Sequence, residues 1–261
     1  MTAAASATAV IAAAGAGERL GADVPKALVP LAGRPMAWWS LAAFATAEAI
    51  GPIVIAAPRG GEAELERLAP DGVEVEVVAG GASRSESVSK ALERVDTDLV
   101  AVHDAARPLV SAELIDAVLA RLADRPDADG VIAAAPVFDT VKRAREPRPA
   151  KGEFPRGGPT IKRTESRDHL WAAQTPQAFR TATLRSALAA DPQRVAAATD
   201  EATLIEKAGG KVLIEPAPTR NLKVTTADDL VVAEALLAAS GAADAPPYPR
   251  SSRHRGGGDT G

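Results

Sequence analysis

The chain has no cysteine. That excludes disulfide staples, a thiolate nucleophile and any cysteine-ligated metal, and it suits a reducing compartment. Aromatic residues make up 3% of the 261, so alanine, valine and leucine must fill the interior. Positive charge is not in excess: 30 Lys and Arg against 34 Asp and Glu leave a net charge of −4. Surfaces that track nucleic-acid phosphates carry a concentrated basic excess, so no nucleic-acid partner is expected. No apolar stretch runs uninterrupted for the ~20 residues needed to span a bilayer. The N-terminal MTAAASATAVIAAAG is apolar but has no basic start and runs straight into glycines. It reads as a buried first strand rather than a secretory signal. No membrane partner is expected, and the expected location is cytoplasmic.

What the chain does have is rhythm. Short apolar runs alternate with longer helical patterns, the mark of an α/β domain with a mostly parallel sheet. Strands are expected at Thr8–Ala13, Ile53–Ala57, Val73–Val78, Leu99–Val102, Gly130–Ala134 and Lys211–Glu215. Runs such as Ile53–Ala57 and Leu99–Val102 are continuously apolar, as strands buried on both faces are. Ser83 and Glu86 form a capping box ahead of a helix over Ser87–Val95, and Ser111 caps Ala112–Ala123. Thr226 and Asp229 form a second box ahead of Leu230–Ala239. The domain therefore spans residues 1–239. Residues 143–163, RAREPRPAKGEFPRGGPTIKR, break the rhythm, with seven Arg or Lys and four Pro. They read as an exposed insertion or as an arm reaching a partner subunit. Residues 240–261, ending PPYPRSSRHRGGGDTG, have the composition of a disordered tail.

After the first strand comes AAAGAGERLGADVPK, with glycines at Gly15, Gly17 and Gly21. This is GxGxxxG, one residue off the dinucleotide fingerprint. A glycine-rich turn after a strand lets backbone N–H groups approach a phosphate closely. Arg19 and Lys26 bracket the loop, and the next strand ends Ala57-Pro58-Arg59 without the acid that would hold a dinucleotide's ribose. Two fixed cations at a phosphate nest suit a triphosphate. A Walker loop, GxxxxGK[ST], is absent. A tight turn without any ligand remains open on the glycines alone.

A further strand ends His103-Asp104-Ala105-Ala106-Arg107-Pro108. An aspartate at the carboxyl end of a buried parallel strand faces the crevice where open α/β sheets bind ligands. Mg²⁺ takes one or two carboxylates plus phosphate oxygens and water, so Asp104 is the metal-ligand candidate, with capping of the next turn as the alternative. His103 reads as structural. Polar residues also end other apolar stretches: Asp139, Thr140 and Lys142; Thr199, Asp200 and Glu201; Lys223. Together they describe one crevice rimmed by cations on an acidic chain, which favours an anionic small-molecule substrate.

At these residues the chain resembles the methylerythritol phosphate cytidylyltransferases of the non-mevalonate isoprenoid pathway. The resemblance runs from about Ala9 to Ala239 and rests on seven segments in order: AAGAGERLGADVPKAL, GGASRSESV, VHDAARP, APVFDTVKR, WAAQTPQAF, TDEATL and NLKVTTADDL. It implies a single Rossmann-like nucleotidyltransferase domain with a projecting arm. It implies that Ala13, Ala14, Gly15, Gly17, Gly81, Ser87 and Asp104 bind CTP, with Mg²⁺ as cofactor on Asp104. It further implies that Arg19, Lys26 and Lys223 are catalytic. A polyol phosphate would then meet Ala105, Arg107, Thr140, Arg167, Thr199 and Lys223. In the family an arm bearing the Thr140 and Arg167 equivalents enters the partner's site, so a homodimer is implied. The chain departs from the family pattern at Ala27, where Gln is usual, and at Ala82-Ser83-Arg84, where an acid is displaced. Its arm is also longer, which makes Arg163 a competitor of Arg167. Two alternatives stand beside this reading. One is ribitol 5-phosphate cytidylyltransferase, against which the small Ala106 argues. The other is a non-catalytic NADP-binding regulatory protein, suggested by the near-miss glycines and Arg59.

Overall fold

The central apolar runs become strands because they bury both faces, whereas the runs at Val75–Ala79 and Val212–Pro216 form the sheet's edges and are only partly buried. In the computed structural model, residues 7–15, 17, 20, 24–146, 158–190, 195 and 198–241 are described. The first half runs β1 (Ala7–Ala12), β2 (Pro30–Leu31), β3 (Arg34–Pro35), α1 (Met36–Thr46), β4 (Ile50–Ala57), α2 (Glu62–Glu66), β5 (Val75–Ala79), α3 (Arg84–Leu92) and β6 (Leu99–Asp104). The second half runs α4 (Ala112–Ala123), β7 (Gly130–Pro136), β8 (Lys142–Ala144), β9 (Ile161–Thr164), β10 (Trp171–Arg180), α5 (Thr181–Leu188), α6 (Glu201–Lys207), β11 (Val212–Pro216) and α7 (Ala227–Ala239). All six expected strands are present with ends displaced by a few residues, and the Ser111 cap and the Thr226–Asp229 capping box form as expected.

Seven strands make one sheet in the order β11-β7-β10-β6-β1-β4-β5. Every pairing is parallel except those of β10, which runs against both β6 and β7. Alternation of side chains sorts the core into two layers. On one face Ala9 and Ile11 of β1, Ile53 and Ile55 of β4 and Ala101 of β6 meet Leu41 and Phe44 of α1 and Ile115 and Val118 of α4. On the other, Val10, Val54, Val100 and Val102 meet Val88 and Leu92 of α3, Leu184 of α5 and Ile205 of α6. A smaller cluster joins Met36 and Trp39 to Val224 and to Ala233 and Leu237 of α7. With few aromatics available, the two that are fully buried need room. Phe179 of β10 lies across from Gly130 of β7, where a Cβ would come within 2.4 Å of its ring.

Strand β10 was not among the expected strands, nor were the two-residue ribbon β2–β3 and the ribbon β8–β9. The last closes the base of segment 143–163, pairing Lys142 with Thr164 and Arg143 with Arg163. Residues 147–157, the middle of that segment, lie outside the described residues, as do 242–261 of the expected tail. Among the described residues no helix is long and apolar enough to cross a membrane.

The sheet positions the site by its topology. From β1 the chain moves outward through β4 to β5, then returns to β6 on the other side of β1. The carboxyl ends of β1 and β6 therefore flank the switch point at which open α/β sheets bind ligands. Ala12 and Asp104 are in register there, and the N–H of Ala105 donates to the carbonyl of Ala12 at 3.1 Å.

Candidate active site

At this switch point lies a cavity of about 490 Å³. It is lined by Ala13, Ala14, Gly15, Gly17, Lys26, Gly81, Ser87, Asp104, Ala105 and Lys223, all expected from the sequence. Ala106, Ser83 and Arg84 line it as well. A second opening of about 700 Å³ adjoins it through Ala14, Gly81 and Ala82 and extends past Ala57, Pro58 and Arg59. Arg19 and Gly21 lie outside the described residues.

The glycine loop leaves β1 at Ala13, whose N–H donates to Ala56 at 2.9 Å. Gly17 adopts φ 74°, and a Cβ there would come within 2.7 Å of the Lys26 Cβ. Glycine at 17 therefore allows Lys26, the first residue of a single 3₁₀ turn (Lys26–Leu28), to pack under the loop. Opposite the loop is the start of α3. Ser83 caps it by accepting from the N–H of Glu86 at 3.1 Å. Glu86 returns its main bond to Ala82 N–H at 2.8 Å, one residue earlier than the box predicts. Ser87 Oγ accepts from Gly81 N–H at 2.9 Å and donates to the Ser83 carbonyl at 2.8 Å. A glycine loop, a helix N-terminus and nearby cations form a receptor for phosphate.

Asp104 ends β6 with a side chain only 10% exposed, and its two oxygens have different partners. Arg84 Nε donates to Oδ1 at 2.7 Å, and Lys223 Nζ donates to Oδ2 at 2.7 Å. Burial alone would raise the Asp104 carboxyl; Arg84 and Lys223 more than reverse this and hold it well below the usual carboxylate range. Arg84 Nη1 also donates to Glu201 Oε1 at 2.7 Å. Burial pushes the Glu201 carboxyl up, with Arg84 opposing, while the two carboxylates hold the Arg84 guanidinium charged against its own burial.

His103, fully buried, is the structural residue expected. Its Nδ1 lies 3.0 Å from Thr175 Oγ1, and its Nε2 lies 3.2 Å from Ser40 Oγ and 3.3 Å from the Arg107 carbonyl. Burial pushes its pKa down to about 3, with Asp104 opposing. Arg107 lies beside the cavity rather than on its lining. Its guanidinium donates to the carbonyls of Asn221 (2.8 Å) and Ala173 (3.2 Å), and Val224 N–H donates to the Ala106 carbonyl at 2.8 Å. These bonds fix the 221–224 segment that carries Lys223. Thr140 and Arg167 are exposed and line neither opening. Arg167 donates to the Phe138 carbonyl, and Arg163 pairs with Glu165 at 2.9 Å. Thr199 is also exposed, 3.3 Å from Thr203 across their hydroxyls.

Arg84 and Glu201 belong to the site but were not among the assigned residues. One signal for Arg84 was present: a cation in the first turn of a helix opposes the dipole, so it needs an acidic partner. Glu201 stands among the polar residues named at the crevice, but nothing in the sequence pairs it with Arg84, because an acid in a first turn is ordinary.

Among the described residues there is no group of three or more His, Cys, Asp or Glu placed to hold a metal. Among the described residues, Asp104 is the one carboxylate on the lining beside Lys26 and Lys223. That donor set fits a cation that brings most of its ligands with it, as Mg²⁺ does when bound to a triphosphate and water.

The chain matches the family of 2-C-methyl-D-erythritol 4-phosphate cytidylyltransferases over residues 7–239. It is 43% identical over 238 residues to the 2-C-methyl-D-erythritol 4-phosphate cytidylyltransferase of Burkholderia cenocepacia (strain HI2424), covering 88% of this chain and 95% of that one. Its identity to the protein of that name in Streptomyces avermitilis is 41% over 237 residues, covering 88% and 91%. Among solved structures, the 2-C-methyl-D-erythritol 4-phosphate cytidylyltransferase of Thermus thermophilus superposes with a TM-score of 0.68 at 31% identity, covering 88% of this chain and 98% of that one. On this match, together with a glycine loop and cations lining a cavity at the sheet's switch point, the chain belongs to the 2-C-methyl-D-erythritol 4-phosphate cytidylyltransferase family, a family of nucleotidyltransferases.

Proposed function

We propose that the chain joins CTP to 2-C-methyl-D-erythritol 4-phosphate, giving 4-diphosphocytidyl-2-C-methyl-D-erythritol and pyrophosphate. The observation that carries this reading is the placement of Asp104, Lys223, Lys26 and the glycine loop around one cavity, in a chain of this family. A phosphate oxygen of the polyol phosphate attacks the α-phosphorus of CTP. The new P–O bond forms as the bond to the bridging oxygen of the β-phosphate breaks, and pyrophosphate leaves with that electron pair. The attacking phosphate is already ionised, so no general base is required, in keeping with a His103 sealed in the interior.

Catalysis then rests on positioning and charge. Lys26 and Lys223, with Arg19 assigned alongside them from the family pattern, neutralise charge building on the α-phosphate and the leaving group. The backbone of Ala13–Gly15 and Gly81 holds the nucleotide. Mg²⁺, when bound, would supply further neutralisation of the triphosphate; Asp104 would hold it. Ala105, Arg107, Thr140, Arg167 and Thr199 are assigned to the polyol phosphate.

Because Thr140 and Arg167 lie off the cavity of their own chain, the reading includes a homodimer in which a partner supplies them. Exposed Phe138 (68%), Ile161 (59%) and Trp171 (40%), on or beside the β8–β9 ribbon, give such a partner an apolar surface. The proposed location is cytoplasmic. The test is pyrophosphate release measured across four nucleoside triphosphates and two polyol phosphates. Release with CTP and methylerythritol phosphate alone is expected. A preference for ribitol phosphate, or no release, overturns the reading.

A further inference from the structure

Arg84 is the first residue of α3, where its charge opposes the helix dipole. It is nevertheless held there by two carboxylates from distant elements, Asp104 at the end of β6 and Glu201 at the start of α6. The Glu201 side chain has no exposed surface. Burying a carboxylate costs free energy even when it is paired, and replacing both members of such a pair with packed neutral groups is often neutral or stabilising, although removing one partner alone is not. A stability role alone is thus a weak account of the charge at 201.

The geometry supplies a better one. Arg84 is 26% exposed and lines the same cavity as Lys26 and Lys223. A guanidinium at the edge of a phosphate site, free to turn, would be drawn onto the phosphate and would leave Asp104. Glu201 opposes that movement. With Arg84 held on Oδ1, the other oxygen of Asp104 is contacted by Lys223, whose side chain is 41% exposed. One oxygen of Asp104 is thus pinned by an anchored cation, and the other is shared with a cation at the open side.

We propose that Glu201 is a positioning residue acting through Arg84: it withholds the guanidinium from the phosphate cavity and so presents Oδ2 of Asp104 as the exchangeable ligand position. The proposal rests on the reading that Asp104 meets a nucleotide-bound divalent cation.

Glu201→Gln keeps the shape but removes the anchor's charge and one of the two oxygens that accept from Arg84 Nη1. Arg84→Lys keeps the charge but loses the planar fork that spans two carboxylates. Two readouts separate positioning from bracing. In the ligand-free chain, NMR should show a slowly exchanging Arg84 Nε–H that is lost in Glu201→Gln. In the pyrophosphate assay, Glu201→Gln should need about tenfold more Mg²⁺ for half-maximal rate, with most of the rate restored at saturating Mg²⁺, while CTP binding without metal tightens as Arg84 is released. The double variant should be no worse than the worse single one, because both act through Asp104.

A Glu201→Gln protein with unchanged Nε–H exchange and unchanged Mg²⁺ dependence overturns the proposal. So does a rate that falls only in step with melting temperature, which marks a brace. Wild-type chain that releases no pyrophosphate from CTP fails the functional reading itself and takes the inference with it; an active wild type with an indifferent variant fails the inference alone.

Discussion

His103 accepts a hydrogen bond from Thr175 through Nδ1, at 3.0 Å from Thr175 Oγ1. The direction follows from the other side of the ring. Nε2 faces the carbonyl of Arg107, which can only accept, so Nε2 carries the proton and Nδ1 is left as acceptor. Thr175 Oγ1 in turn accepts from the backbone N–H of Asp104 at 3.0 Å. One neutral imidazole therefore ties β10 to the turn that presents Asp104.

This arrangement makes stability depend on pH. Burial lowers the His103 pKa from 6.5 to about 3. Above pH 6.5 neither folded nor unfolded chain binds the proton, and the folded state is not penalised. Between 6.5 and 3 the unfolded chain protonates and the folded one does not, so stability falls as pH falls. From pH 7 to pH 5 the loss from His103 is about 2 kcal/mol, at 1.36 kcal/mol per pH unit below 6.5. Urea unfolding of His103→Gln at the two pH values should show a pH dependence smaller by that amount. An unchanged dependence would mean that the imidazole protonates freely in the fold.

Gly17 supports a second prediction. Its φ of 74° is unfavourable for alanine, and the added Cβ would meet the Lys26 Cβ at 2.7 Å. Gly17→Ala should cost about 1 kcal/mol of stability from the backbone alone. Turnover should fall further than that suggests, by about tenfold or more, because Lys26 must move from the phosphate cavity. Melting temperature and pyrophosphate release measured on the same preparation separate the two effects. Near-normal turnover would show that the loop tolerates a displaced Lys26.

The same physics divides what could be read from the sequence from what could not. Strands β1, β4 and β6 are legible because both faces are buried along most of their length, so their runs are mainly apolar. Strand β10, WAAQTPQAFR, is buried over Gln174–Phe179, but partly with polar side chains. Gln174 accepts from Asn221 at 2.8 Å, Thr175 bonds His103, and Gln177 donates to Asp200 at 2.9 Å. Each of these finds a partner in a residue distant along the chain, so no local period announces the strand. The site divides in the same way. The glycine loop, Lys26 and Asp104 stand at strand ends, where the chain order shows them. The link from Arg84 to Glu201 joins residues 117 apart and exists only in the fold.

The cations of the cavity can be weighed directly. Two unit charges 4 Å apart interact by about 4 kcal/mol at an effective dielectric near 20, so removing one cation from the reacting phosphates should lower turnover by ~10²–10³. Lys26→Ala should show this loss with the fold intact. Asp104→Asn should instead raise the Mg²⁺ requirement, and the wild type should lose activity in EDTA. Full activity in EDTA would remove the metal from the mechanism, and a folded Lys26→Ala protein with normal turnover would remove the charge argument.

The last prediction concerns the residues that do not reach their own cavity. Arg167 is exposed and bonded to the Phe138 carbonyl, while Arg163 is paired with Glu165 and sits in the β8–β9 ribbon. Arg163 thus shares a carboxylate with Arg143, whereas among the described residues Arg167 is bonded only to a carbonyl and can serve a phosphate. It also lies four residues before Trp171, the start of β10, outside segment 143–163. If a partner subunit completes the site, Arg167→Ala and Lys26→Ala homodimers should each be nearly inactive, and Arg163→Ala should be close to normal. Mixing the two inactive proteins then decides between shared and self-contained sites. A heterodimer contains one site with both defects and one with neither, so after complete subunit exchange about a quarter of wild-type activity should return. Exchange is monitored independently, by mass-labelled subunits in native mass spectrometry. Two inactive variants that exchange subunits and stay inactive would show that each chain completes its own site.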